Sequence, residues 1–207
     1  QRSTFEPFKR GRFFGDTSLK QKHVNHPLPF VFDVQIFHLY INPLSLDLSV
    51  YDEMAGALFK LIDLSWEERN FIRQQFEKRS RSRRLKRALN YEEKRKILEW
   101  WAVFSTEKKL PKNALYFVED YKRSYPYGNM LGAVLNTVQD DRDISTQQSI
   151  PIGGLELIFD SHLKGSPGQR LQLRSPSNSL EAGVLVSSPE NGADIYLTID
   201  PYIQAIV

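Results

Sequence analysis

Ser105 and Lys108 stand one helical turn apart, the spacing at which a lysine can activate a serine nucleophile. They sit in a polar segment beyond the second capped helix, and the chain carries neither a Ser-x-Asn nor a Lys-Thr-Gly that would complete such a site, so the pair reads as a solvated helix end. Four histidines, His23, His26, His38 and His162, are scattered. His23 and His26 lie three apart, but no carboxylate pair is near and Pro27 disfavours a helix that would align them, so no metal site is expected. With no cysteine, a thiol nucleophile, a Cys-ligated metal and a disulfide framework are excluded. No cofactor is expected.

The strongest charged feature is a basic block of Lys78, Arg79, Arg81, Arg83, Arg84, Lys86 and Arg87 in a chain whose net charge is only +3. Three readings compete: a solvated arginine-rich helix end, a surface for anionic lipid or an envelope partner, and a nucleic-acid site. No aromatic residue lies between Lys78 and Leu89 to stack on bases, so nucleic acid ranks last.

The elements that must position these groups follow from pattern. The 207 residues, 41% apolar and 12% aromatic, suffice for one ordinary domain or two small ones. Phe30, Phe32, Val34 and Ile36 alternate, then Phe37, Leu39 and Ile41 follow after a phase change, which predicts a strand with a bulge near 35–37. Helical spacing places Met54, Leu58, Leu61 and Ile62 on one face. Ser65-Trp66-Glu67-Glu68 predicts a capping box and a helix burying Ile72 and Phe76, which runs into the basic block as a turn. Asn90-Tyr91-Glu92-Glu93 predicts a second box, with Tyr91, Ile97, Leu98, Trp101 and Phe104 buried, until Pro111.

Beyond the helices, Tyr116, Val118 and Tyr121 predict a returning strand. Residues 130–138 predict a strand or short helix, with Gly132 and Ala133 implying close packing. Residues 139–150 read as a polar loop. Gly154-Leu155-Glu156 opens a short helix over 155–163 with Ile158 and Phe159 inward, and strands at 171–173 and 184–186 flank a Ser/Pro/Asn loop at 175–179. Leu197-Thr198-Ile199 reads as a buried strand between Asp194 and Asp200. Asp200 would cap a helix with Pro201 first and Tyr202, Ile203, Ile206 and Val207 on its apolar stripe. The stripe is cut at Val207 and the chain starts at Gln1, so flanking chain is expected on both sides.

Five pieces of this chain occur in one order: Arg123-Ser124-Tyr125-Pro126, Leu131-Gly132, Gly154-Leu155-Glu156, Leu163-Lys164-Gly165 with Gly168, and Gly192-Ala193-Asp194 through Thr198 and Asp200 to Gln204. Together they resemble the N-terminal pedestal, or "dimer", module of a class B penicillin-binding protein. Arg10-Gly11 with Phe13 is similar to the start of that family's first motif, although Asp16 falls one residue late and the Arg and Gly that should follow are missing.

The resemblance implies an α+β fold: a strand-rich base with an inserted helical head. Its expected divisions are 1–60 and 116–207 for the base and 61–115 for the head, with a transpeptidase domain following. It implies a non-catalytic fragment in which Arg10, Gly11, Arg123, Tyr125, Pro126, Gly132, Gly154, Glu156, Gly165, Asp194, Thr198, Asp200 and Gln204 form structural or allosteric motifs, and Arg123 and Glu156 are expected to brace the base and pair. The parent would be held by one upstream transmembrane helix on the periplasmic side of the bacterial inner membrane. It would crosslink peptidoglycan peptides, with a SEDS-family glycan polymerase and divisome or elongasome proteins as partners and no nucleic acid. Cell division is the expected branch, though elongation shares these motifs. Residues 79, 81, 83, 84, 86 and 87 are the candidate partner surface. A complete small enzyme and a basic module for nucleic acid or anionic lipid are the rival readings.

Overall fold

A computed structural model describes residues 2–15, 29–128, 130–139, 149–172, 184–204 and 206. His23, His26, Asp16, Leu173 and the loops at 140–148 and 175–179 lie outside them, and with them the metal, strand and loop readings placed there. The chain forms two compact units: Gln1–Val34 with Tyr121–Val207, and Gln35–Asp120. The second unit is wider on both sides than the head expected at 61–115, because it takes in half of a long strand, the following helix and half of the returning strand. Helices and strands are mixed throughout, an α+β fold.

In the first unit, β1 (Arg2–Glu6) pairs antiparallel with β6 (Gly168–Gln172), which pairs with β7 (Val184–Ser187). The short β2 (Phe13–Phe14) pairs antiparallel with the start of β3 (Pro29–Ile41) and parallel with β8 (Ile195–Tyr196). The β2–β8 ladder is longer than its strand bounds suggest. Gly192 donates to the Lys9 carbonyl at 2.9 Å, Ile195 to Arg12 at 2.8 Å and Leu197 to Phe14 at 2.8 Å. Such close approach excludes side chains: a Cβ on Gly11 would sit 1.8 Å from the Ala193 oxygen and one on Gly192 1.6 Å from that of Leu163. Phe13, Phe30, Val31, Leu131, Leu135 and Leu163 form the core.

Three expectations are corrected here. The short-helix alternative forms at 130–138 as the single-turn α4 (Gly132–Leu135), but the close packing expected of Gly132 and Ala133 does not: both face solvent while Leu131 and Leu135 pack inward, and a Cβ on Gly132 would meet nothing. The predicted helix over 155–163 breaks at Phe159 into α5 (Gly154–Ile158) and α6 (Asp160–Leu163), which turns Ile158 outward to 70% exposure. Leu197–Ile199 is not a strand: pairing ends at Leu197, Thr198 is exposed, and Leu197 and Ile199 only partly cover the core. Asp200 does cap α7 (Pro201–Gln204), its Oδ1 accepting from the Ile203 N–H at 3.3 Å.

In the second unit, α1 (Tyr51–Leu61), α2 (Trp66–Phe76) and α3 (Tyr91–Glu107) surround a core that includes Met54, Leu58, Ile72, Phe76, Ile97 and Trp101. Both capping boxes form: Ser65 with Glu68, and Asn90 with Glu93. The buried stripe of α3 is Ile97, Trp101, Phe104 and Ser105, so Tyr91 (65% exposed) and Leu98 (43%) lie off it, against expectation. The basic block is not a turn between helices. Only 77–82 turns, and β4 (Arg83–Leu89) pairs antiparallel with β3, burying Leu85 and Leu89 while Arg83, Arg84 and Lys86 are half-buried and Arg87 is exposed. The bulge in β3 falls at 37–40, later than predicted. There Ala88 adopts φ 54° and donates its N–H to His38 Nδ1 at 3.1 Å. The returning strand is β5 (Leu115–Ser124), which pairs with β3.

Candidate functional site

A carboxylate buried in protein must be paired and hydrogen-bonded, or it will take up a proton. Glu156 is 0% exposed. Gly154, at φ +58° and too close to the Val134 oxygen for any Cβ, starts α5 so that Glu156 enters the interior on its first turn. Two guanidinium groups meet it there. Arg10 donates from Nε to Oε2 at 2.9 Å, and Arg123 donates from Nε to Oε1 at 2.8 Å.

Each arginine reaches further. Arg10 donates from Nη2 to the Glu156 carbonyl at 2.8 Å and from Nη1 to Asp160 Oδ1 at 2.6 Å. Arg123 donates from Nη1 to Asp33 Oδ1 at 3.1 Å, and the other Asp33 oxygen accepts the Arg10 backbone N–H at 2.7 Å. The Arg123 guanidinium also lies 6.0 Å from the Phe13 ring centre. Two guanidiniums therefore face three carboxylates, and four segments of the chain meet at one point. Charge-assisted bonds of this kind fix direction as well as distance, because the guanidinium fork is planar and rigid.

Tyr125 closes the cluster, its hydroxyl donating to Glu156 Oε1 at 3.4 Å. Burial first, and the Glu156 charge second, push the phenol up to about 12. The residue is set by a turn in which Gly128 N–H donates to the Tyr125 carbonyl at 3.0 Å, with Pro126 in the position whose φ proline favours.

A second, exposed pair supports the strand ladder. Asp194 accepts from the Arg12 backbone at 2.8 Å and from its Nη2 at 2.6 Å. Burial alone would raise the Asp194 carboxyl, but the Arg12 hydrogen bonds and charge hold it below the usual carboxylate range. Gly165 sits against the Glu190 oxygen, 2.1 Å from where a Cβ would lie.

Of the motif residues, the structure thus brings Arg10, Arg123, Tyr125 and Glu156 together. Gly11, Gly165 and Asp194 belong to the contacts beside them, whereas Gly132, Thr198, Asp200 and Gln204 do not join the cluster. Asp33, Asp160 and Arg12 complete these networks and were not singled out from sequence. Asp33 had one signal, a lone charge among the apolar residues of a strand.

Ser105 is not a solvated helix end: it is 2% exposed within α3, and Lys108 Nζ lies 2.7 Å from Glu53. The Ser-x-x-Lys spacing recurs at Ser161 and Lys164, beyond the pair weighed above. There Ser161 Oγ contacts the neighbouring His162 Nδ1 at 3.1 Å and both residues are exposed. Among the described residues no group of three His, Asp or Glu side chains could hold a metal, and no helix is long and apolar enough to cross a membrane.

The first unit is thus an α+β base organised on a buried arginine–carboxylate node. The model of the penicillin-binding protein dimerisation domain family matches residues 27–197, and the chain belongs to that family. Its fold is similar to that of penicillin-binding protein 2X from Streptococcus thermophilus, at a TM-score of 0.68 and 15% identity, covering 99% of this chain and 30% of that one. It is also similar to penicillin-binding protein PBP2 from Helicobacter pylori, solved in complex with MreC, at a TM-score of 0.64 and 15% identity, covering 99% and 37%. The chain thus spans about a third of the length of these solved proteins. No curated protein matches it by sequence.

Proposed function

We propose that the chain is the non-catalytic pedestal of a penicillin-binding protein, and that it positions and regulates a downstream D,D-transpeptidase in peptidoglycan synthesis. One observation carries this reading. Residues 9–14 and 192–197 run side by side in one ladder, closed by Arg12 and Asp194 and backed by the node at Glu156. Chain arriving before Lys9 and chain leaving after Leu197 therefore depart from a single braced element. A rigid element of this kind sets the position of whatever is joined to its two ends, which is positioning without chemistry.

On this reading the motif residues brace the base, the upstream chain holds an anchor on the periplasmic face of the bacterial inner membrane, and a SEDS-family glycan polymerase is the partner. A division or elongation protein would dock as well, in the manner that MreC accompanies the H. pylori protein. Cell division remains the branch we favour.

The test is fluorescent-penicillin labelling of the chain extended past Val207, with the 207-residue chain as control. Labelling of the extended chain alone supports the reading. Failure of a folded extended chain to label overturns it.

A further inference from the structure

The turn 77–82 and the start of β4 carry a charge pattern that the rest of the molecule avoids. Among the described residues, the side chains of Lys78, Arg79, Arg81 and Arg84 make no hydrogen bond or ion pair. Arg83 has a buried Nε with no partner. Lys86, farther along the strand, pairs with Glu68 on α2. Like charges crowded within a Debye length of about 8–10 Å repel one another and gain nothing from the fold.

This crowded turn is nevertheless held fast. Ser80 Oγ donates to the Ser82 carbonyl at 3.0 Å and accepts the Ser82 N–H at 3.3 Å. Ser82 Oγ lies 2.6 Å from the Tyr116 hydroxyl, and Ser80 O accepts from Leu44 N–H at 3.4 Å. Tyr116 in turn stacks on Tyr40, ring centres 5.6 Å apart, and Tyr40 is paired directly across the ladder with Arg84. Residues opposite one another in an antiparallel ladder share a face, so Tyr40 and Arg84 stand side by side. The result is a pre-ordered surface of arginine and tyrosine, the residues that dominate binding energy where proteins meet.

We propose that Arg79, Arg81 and Arg84, with Tyr40 and Tyr116, form a docking surface for a carboxylate-rich segment of a partner protein. The chemistry favours this occupant over two others. Four of the five cations from 78 to 84 are arginines, whose rigid forks match carboxylates two bonds at a time, a preference that diffuse attraction to a bilayer does not require. No apolar side chain lies between Lys78 and Arg84 to enter a bilayer. The two tyrosines stack on each other, which leaves fewer ring faces for bases. The surface is read from the second unit alone, so it stands independently of the pedestal reading.

The experiment measures fluorescence anisotropy of a labelled twelve-residue peptide of alternating Glu and Gly, with a Gln and Gly peptide as control, on the intact chain. The triple variant Arg79→Gln, Arg81→Gln, Arg84→Gln is compared with Lys60→Gln, Lys96→Gln, Lys112→Gln, which removes the same charge from exposed sites of the same unit. The expected result is binding of the Glu peptide only, weakened about tenfold or more by the arginine variant and less than about threefold by the lysine variant. Equal losses from both variants, or no binding, overturn the proposal. So does stronger uptake of the chain by vesicles with 30% phosphatidylglycerol, or by a twenty-nucleotide single strand, than by the peptide.

Discussion

Arg10 and Arg123 lie in the first unit at 3% and 8% exposure, and each shares a carboxylate with residues 30 to 150 positions away. Arg79 and Arg81 lie in the second unit, exposed and answered by nothing described. The second unit mixes local caps, such as Ser65 with Glu68 and Asn90 with Glu93, with long-range pairs at its surface, such as Lys108 with Glu53 at 2.7 Å, but none of its arginines is buried in a node like that at Glu156. The same side chain thus serves opposite ends. Where arginine is buried it ties distant segments together, since an unpaired buried charge is too costly to keep. Exposed, it contributes little to the fold and remains available to a partner.

The first way to break this comparison is Glu156→Ala. It leaves two buried guanidiniums facing each other, and the expected loss is about 3–5 kcal/mol of unfolding free energy, read by urea denaturation. A loss below about 1 kcal/mol would mean that water or Asp160 replaces the carboxylate and that the node is not the brace described here. A double-mutant cycle of Arg123→Met with Glu156→Gln should show coupling, and zero coupling would separate the pair.

How much of this could be read from residues alone depends on distance along the chain. Ser65 and Asn90 announce their helices because a capping box is complete within four residues. Met54, Leu58, Ile72 and Phe76 announce their faces because periodicity is local too. The basic strand hid its own period: two register shifts interrupt the alternation of Leu85 and Leu89, and four cations in seven residues overwhelm it. Arg123 and Glu156 stood out only through motif likeness. Asp33 and Asp160 had no such help, because their partners lie 90 and 150 residues away and nothing local requires a carboxylate there. The interruption at Phe159 was equally invisible, since one apolar residue in an apolar run carries no sign of a helix break.

Gly192→Ala sharpens the comparison from the backbone side. Its Cβ would meet the Leu163 carbonyl, which is backbone and cannot swing aside, so the cost should reach about 3 kcal/mol, the upper end for overpacking. Thermal unfolding reads it, and a cost near zero would show that the ladder of residues 9–14 with 192–197 is looser than drawn. Asn90→Ala tests the short-range order of the second unit and should cost about 1 kcal/mol, the usual worth of a helix N-cap.

Tyr125→Phe probes the node through pH. The folded state holds the phenol at about 12, above its ordinary value near 10, so between those values the folded state binds more protons than the unfolded one. The stabilisation is therefore complete below about pH 10 and is lost as pH rises towards 12. Urea midpoints across that range should fall less steeply in the Phe variant. Parallel slopes would place Tyr125 outside the charge cluster.

The smallest expected effect is also the sharpest test of the contrast. Arg79→Gln with Arg81→Gln should change stability by no more than about 0.5 kcal/mol in either direction, as exposed substitutions do. The sign should be favourable at low salt, where removing like charges relieves repulsion, and the gain should vanish near 1 M salt, where the Debye length shrinks to about 3 Å. Urea midpoints at the two salt concentrations decide it. A loss above about 1 kcal/mol that persists in high salt would mean that these guanidiniums are held by the fold after all, and the two classes of arginine would collapse into one.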